Sequence, residues 1–297
     1  MKNYIDLHMH SMYSDDGEYT PEQLVEMCAK RGIKIMAVAD HNQIDAIDAA
    51  REKAKEIGVS LIPAVEIDCT FGRTNLHVLS YGMEYKVPFF QQLNEKIYKQ
   101  EMRLSDKKIE LTKKIGFDVT KEELDQLSEN GVYTGEMFGE VLLGKEEYKN
   151  HPMLKPYRVG GKRSDNPYVN FYWDYYSQGK PCYTKVEYPS YETVVEQIHQ
   201  YGGKAVLAHP GANLKGTFET FDRMMEAAPL DGVEVFSNYH DEETVEYFYK
   251  KGQEYGIMTT CGSDFHGKTK PAIELGECHC PYDEEFIEEM LKEKGLI

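Results

Sequence analysis

The chain has 297 residues, 41% hydrophobic and 29% charged, with 51 acidic against 34 basic side chains and a formal net charge of −17. That length buries a substantial core and allows one large or two ordinary domains. A surface this acidic excludes sequence-independent binding to duplex DNA, which needs clustered Lys and Arg, but bound metal ions can invert the local potential and admit a small anionic substrate. No apolar run approaches the ~20 residues of a membrane span, so no membrane association is expected. The first residues enter a strand almost at once, and no secretory signal is expected. Of six cysteines only Cys278-His279-Cys280 is close-set, and it lacks a second pair to complete a zinc site. Reduced thiols in a cytoplasmic protein are the expectation.

Tyr4-Ile5-Asp6-Leu7-His8-Met9-His10 reads as a strand whose two histidines, at i and i+2, point to one side of a sheet. Two converging imidazoles, with Asp15 a few residues on, begin a metal site. Thr20-Pro21-Glu22-Gln23 predicts an N-cap, a proline at N1 and a capping-box partner, opening a helix to Lys30 that stops near Gly32. The apolar run 33–39 reads as a buried parallel strand ending in Asp40-His41. A helix over 44–57 ends at Gly58, a third strand over 61–65 ends in Glu66, and a fourth over 76–81 carries His77.

From Val87 to Gly179 this rhythm breaks. Residues 90–115 predict one long charged helix, with shorter helical pieces near 121–128 and 135–143, and the tyrosine-rich segment 168–176 holds the single Trp173. No strand there ends in a ligand-type residue, so the stretch reads as an inserted, mostly helical subdomain with an aromatic core of its own. Alternation then resumes. A helix capped by Ser190 precedes the strand 204–208, which ends in His209. A helix near 217–228 leads to the strand 232–236, with His240 just past it. The helix 242–255 stops at Gly256, and the strand 257–261 runs into Gly262-Ser263-Asp264-Phe265-His266 before a terminal helix over 284–294.

Seven strand-like runs thus each carry His, Asp or Glu within them or just past their C-terminal ends, which form the active face of parallel α/β barrels. Seven of the ten histidines (8, 10, 41, 77, 209, 240 and 266) hold such positions, and the other three (151, 199 and 279) read as ordinary surface or packing residues. Buried ionisable groups are costly unless paired or metal-bound, so a shared metal centre explains the set better than seven separate core histidines. With Asp15, Glu66 and Asp264 there are ligands for more than one ion. Imidazole and carboxylate without thiolate suit Zn, Mn or Fe.

His8-Met9-His10, Ser14-Asp15, Asp40-His41, Glu66, His77, Ala208-His209-Pro210 and Gly262-Ser263-Asp264-Phe265-His266 together resemble the motif set of the PHP (polymerase and histidinol phosphatase) family, over roughly residues 1–85 and 181–280. The resemblance implies an α/β fold, a distorted (β/α)7 TIM-like barrel, from 1–86 and 180–297, with 87–179 as a helical insertion. It implies two to three divalent ions. His8, His10, Glu66 and Asp264 would hold the first; Glu66 would bridge to a second, completed by His77 and His209; Asp15, His41 and His266 would hold the third. Asp40 would sit behind these ligands, orienting one of them or the neighbouring loop. His240 would contact phosphate or protonate the leaving group, and with Glu66 and Asp264 it forms the implied catalytic set. Three divalent ions outweigh three carboxylates, so the pocket would attract a phosphate monoester. A metal-bridging hydroxide would attack phosphorus in line.

The insertion's size and position resemble the branch acting on nucleoside 3′,5′-bisphosphates or short RNA ends, which makes a nucleotide the favoured substrate. Histidinol phosphate or another small phosphorylated metabolite is the alternative, and a non-catalytic regulatory module a third. One departure bears on substrate. The Arg/His-bearing segment of that branch is here Gly135-Glu136-Met137-Phe138-Gly139-Glu140, leaving Lys162 and Arg163 as candidate replacement cations.

Overall fold

The structure, a computed structural model, describes residues 4–128 and 130–297. Strand β1 (Ile5–Met9) pairs in parallel with β2 (Ile35–Val38), and β2 with the short β3 (Ser60–Leu61). Every residue of β1 and β2 is buried, as for strands covered on both faces. A second sheet has the order β4 (Ala64–Phe71), β5 (Thr74–Tyr81), β6 (Lys204–Leu207), β7 (Gly232–Phe236) and β8 (Met258–Cys261).

Two features depart from the expected all-parallel reading. The third strand does not run through to Glu66. The chain breaks at Ile62-Pro63, where proline offers no ladder N–H, and Glu66 lies inside β4. Strand β5 runs antiparallel to both β4 and β6, because Gly72, at φ +62°, begins a two-residue hairpin turn. His77 is therefore placed by hairpin register, not by a strand end.

The two sheets meet along both edges at the end that carries the histidines. Met9 bridges to Phe265 and His41 to Glu66. His10 N donates to Phe265 O at 2.9 Å and Asp264 N to His8 O at 2.8 Å on one side. On the other, Asn42 N donates to Glu66 O at 2.7 Å and Glu66 N to Asp40 O at 3.1 Å.

Helix α1 (Pro21–Arg31) starts on the Thr20/Gln23 capping box and ends at left-handed Gly32, as the sequence predicts. With α2 (Ala46–Ile57) it covers β1 and β2 through Leu24, Val25, Ala46 and Ala50. Between β5 and β6 lie α3 (Pro88–Lys114), α4 (Lys121–Asp125), α5 (Gly135–Gly144) and α6 (Pro167–Tyr175). The first turns of α3 put Phe90, Leu93 and Ile97 into the main core. Phe117, Phe138, Phe171 and Tyr176 form a separate cluster among these helices, and Trp173 stays exposed. The remaining helices are α7 (Tyr191–Gln200), α8 (Pro210–Asn213), α9 (Thr220–Ala227), α10 (Glu242–Tyr255) and α11 (Glu284–Glu293). None of the described helices is long and apolar enough to cross a membrane.

Candidate metal centre

Three groups of side chains bring one ligand atom each to within 4.8 Å of one another: His8, His10, Glu66 and Asp264; His41, Glu66 and His77; and His10, Asp16, His41 and His266. The groups share Glu66, His10 and His41, so they form one continuous centre. His8 Nε2 lies 3.2 Å from His10 Nε2, and Glu66 Oε2 is 3.2 Å from both rings. Asp264 Oδ1 approaches the same two nitrogens at 3.5 and 3.2 Å. Glu66 Oε1 faces His77 Nδ1 and His209 Nε2, each at 3.0 Å. His266 Nε2 meets Asp16 Oδ2 at 3.2 Å.

The electrostatics fit a cation. Buried atoms are normally hydrogen-bonded, yet Glu66 Oε2, Asp16 Oδ1, His41 Nδ1 and His266 Nε2 are buried without a hydrogen-bond partner. Burial works against charge on His8, yet Glu66, Glu234 and Asp264 hold its pKa well above the ordinary imidazole value. Burial likewise opposes charge on His77, but Glu66 and Asp68 push its pKa up to about 10. His10 goes the other way, to about 4, through burial and then the neighbouring charge of His266. Divalent ions among these lone pairs would satisfy the orphaned atoms and stabilise both neutral imidazole and carboxylate.

Residues behind the ligands set their direction. Glu234 on β7 accepts from His8 Nδ1 at 3.0 Å, so neutral His8 presents its Nε2 lone pair to the centre, and Glu234 Oε2 accepts from His209 N at 2.8 Å. Asp68 Oδ1 lies 3.0 Å from His77 Nε2, while Asn42 Nδ2 donates to Asp68 Oδ2 at 2.5 Å. Asp40 accepts from Ser11 N and Ser11 Oγ at 2.6 and 2.7 Å, so it orders the loop after β1. Glu234 and Asp68 escaped the sequence reading, although Asp68 stands at i+2 from Glu66, the spacing that singled out His8 and His10.

Three expected roles meet a different geometry. The carboxylate that joins the cluster is Asp16, not Asp15; Asp15 Oδ1 instead accepts from Asn130 Nδ2 at 2.7 Å. His240 has both ring nitrogens in use. Nδ1 donates to Val235 O at 2.7 Å, and Nε2 accepts from Gly211 N at 2.9 Å, so no ring atom is left for phosphate. Arg163 gives its fork to Asp174 at 3.2 Å through two nitrogens and its remaining reach to Asn170 O; Lys162 is exposed.

Helix α5 faces this centre with carboxylates. Thr134 caps α5, and Glu136, in its first turn, is buried. Glu136 shares a cavity of about 40 Å³ with Asp15, Asp16, Glu140 and Thr269. Burial and then the charge of Asp16 raise its pKa to about 7. The cations nearby are already paired: Lys268, which lines the same cavity, with Glu140 at 3.0 Å, Lys270 with Asp264 at 2.6 Å, and Lys108 with Glu101 at 2.5 Å.

Known proteins resemble this chain along nearly its whole length. A 5′-3′ exoribonuclease of Haemophilus influenzae is 26% identical over 268 residues, 90% of this chain and 91% of the relative. A 3′,5′-nucleoside bisphosphate phosphatase of Chromobacterium violaceum is 26% identical over 277 residues, 92% and 90% of the two chains. Among solved structures, a protein of Bifidobacterium adolescentis described as a metal-dependent phosphoesterase superposes with a TM-score of 0.77 at 25% identity, covering 97% of this chain and 95% of that one. The profile of the PHP domain matches residues 6–154, half of the chain and the part that supplies His8, His10, Asp16, His41, Glu66 and His77. The chain belongs to the PHP domain family of metal-dependent phosphoesterases.

Proposed function

We propose that this protein hydrolyses a phosphate ester of a small metabolite, with a nucleotide as the first substrate class, using two to three divalent ions of Mn, Zn or Fe. The observation that carries the reading is the set of three ligand clusters sharing Glu66, His10 and His41, with four orphaned buried atoms among them. Such ions supply an activated water and neutralise the phosphoryl oxygens. His8, His10, Glu66 and Asp264 would hold one ion, and His77, His209 and the second oxygen of Glu66 another. Asp16, His41 and His266 would hold a third. Glu234 keeps the His8 proton on Nδ1. The two seams between sheets support reading β1, β2 and β4 to β8 as one distorted TIM-like barrel, with 87–179 as a cap. Six unpaired, buried cysteines favour a cytoplasmic setting.

The names of the two relatives support the nucleotide. A second reading, an amino-alcohol phosphate of the histidinol phosphate kind, is favoured by Glu136, whose buried carboxylate suits an amine better than a second phosphate. A phosphate-release panel with Mn or Zn separates them: adenosine 3′,5′-bisphosphate, nucleoside monophosphates, a short oligonucleotide and histidinol phosphate. His8→Ala and Asp264→Ala are expected to abolish turnover. Unchanged activity in either variant would sink the assignment.

A further inference from the structure

The two oxygens of Asp264 do different work. Oδ1 faces His8 Nε2, His10 Nε2 and His266 Nδ1 at 3.5, 3.2 and 3.5 Å. Oδ2 accepts from Lys270 Nζ at 2.6 Å and from the Tyr239 hydroxyl at 2.7 Å. The Lys270 side chain is 9% exposed and that of Asp264 4%, so water competes little for these bonds. The ammonium also lies 5.4 Å from the centre of the Tyr239 ring, which holds it by cation–π attraction.

The backbone fixes the direction of this carboxylate as well. Asp264 has φ +56°, in the left-handed region that non-glycine residues seldom enter. Its N–H bond to His8 O at 2.8 Å holds it there, together with the bond from Ser263 N to Asp6 Oδ1 at 2.9 Å. A carboxylate so placed, with both oxygens free, could chelate a divalent ion through the pair. Here one oxygen is taken.

We propose that Lys270 and Tyr239 clamp Asp264 as a one-oxygen ligand of the centre. Both residues act through Asp264, so they are positioning residues. The clamp leaves a coordination position for water or a phosphoryl oxygen, which a catalytic ion needs. Lys270 also withdraws negative charge from Asp264, so the ion keeps more of its own pull on the substrate. The inference rests on the metal centre proposed above.

The test uses the full chain reconstituted with cobalt(II), read by elemental analysis and visible absorption. Lys270→Met and Tyr239→Phe are expected to bind the wild-type number of ions but to show weaker cobalt bands, because a released Oδ2 raises the coordination number. On the best substrate of the panel, Lys270→Met should lose about tenfold or more in kcat with KM within about threefold, and Lys270→Arg should recover part of the loss. Tyr239→Phe removes a single hydroxyl and keeps the ring beneath the ammonium, so it is the variant that folds if Lys270→Met does not. Wild-type cobalt spectra in the variants, or loss of an ion from them, would overturn the clamp. If the wild type released phosphate from nothing, the proposed function would fall while the cobalt comparison stayed readable.

Discussion

A carboxylate bound to one ring nitrogen of a histidine decides what the other nitrogen can do. Glu234 Oε1, 3.0 Å from His8 Nδ1, fixes the tautomer that turns a lone pair toward Glu66 and Asp264. Losing such a partner typically costs 10–100-fold in metal affinity, on the order of 1.4–2.8 kcal/mol. Glu234→Gln should therefore weaken the tightest site by about tenfold or more in a calorimetric metal titration, although residue 234 touches no ion. His240 is the opposite case: a histidine at a strand end whose job is to tie loops together. It joins Val235 O to Gly211 N, and a Cβ at Gly211 would lie only 2.4 Å from its ring. His240→Ala strands a half-buried donor, Gly211 N, and a buried acceptor, Val235 O, a loss of about 1–3 kcal/mol. Thermal unfolding should register that loss while kcat of the folded enzyme changes little; a large fall in kcat at unchanged melting temperature would restore His240 to the chemistry.

Among the elements, the β4–β5 hairpin organises the most chemistry. Its register sets Asp68 directly opposite His77, and alternation along β4 puts Glu66 and Asp68 on one face. One strand thus offers His77 a carboxylate at each ring nitrogen, both at 3.0 Å. Asp68→Asn keeps the size and removes the charge, so it should lower metal affinity by about tenfold while leaving the fold intact. Circular dichroism and a metal titration on the same sample check both halves. The clustering of the histidines was legible in the sequence because ligand types recur where apolar runs end, and α1 was legible because capping chemistry is local. The sequence could not announce the hairpin: 61–65 reads as continuous strand until Pro63 is seen to pass the chain between sheets. The sequence reading takes Asp15 where the fold brings the adjacent Asp16 to the cluster, and the partner that holds Asp15 away, Asn130, is 115 residues distant in sequence. Glu136 was visible only as a missing Arg or His; its burial against Asp16 comes from how α5 packs.

For the molecule as a whole, the centre concentrates charge that only protons or cations can balance. In the metal-free protein the protons win at low pH. His77, with its pKa raised to about 10 by Glu66 and Asp68 against the effect of burial, contributes stability that is complete below its unfolded value near 6.5 and disappears as pH rises through about 10. His8 is shifted in the same direction. Metal ions compete for the same lone pairs, and their binding releases those protons, so affinity must climb across the window in which metal-free stability declines. An ion held at 100 times its Kd adds about 2.7 kcal/mol per site. The expected result is a difference in melting temperature, manganese-loaded minus chelator-treated, that is clearly larger at pH 8 than at pH 6. Differential scanning calorimetry on the full chain at both pH values measures it. An increment that is equal at the two pH values, or larger at pH 6, would mean that the bound ions and these histidine protons do not share sites, and the metal centre would have to be placed elsewhere.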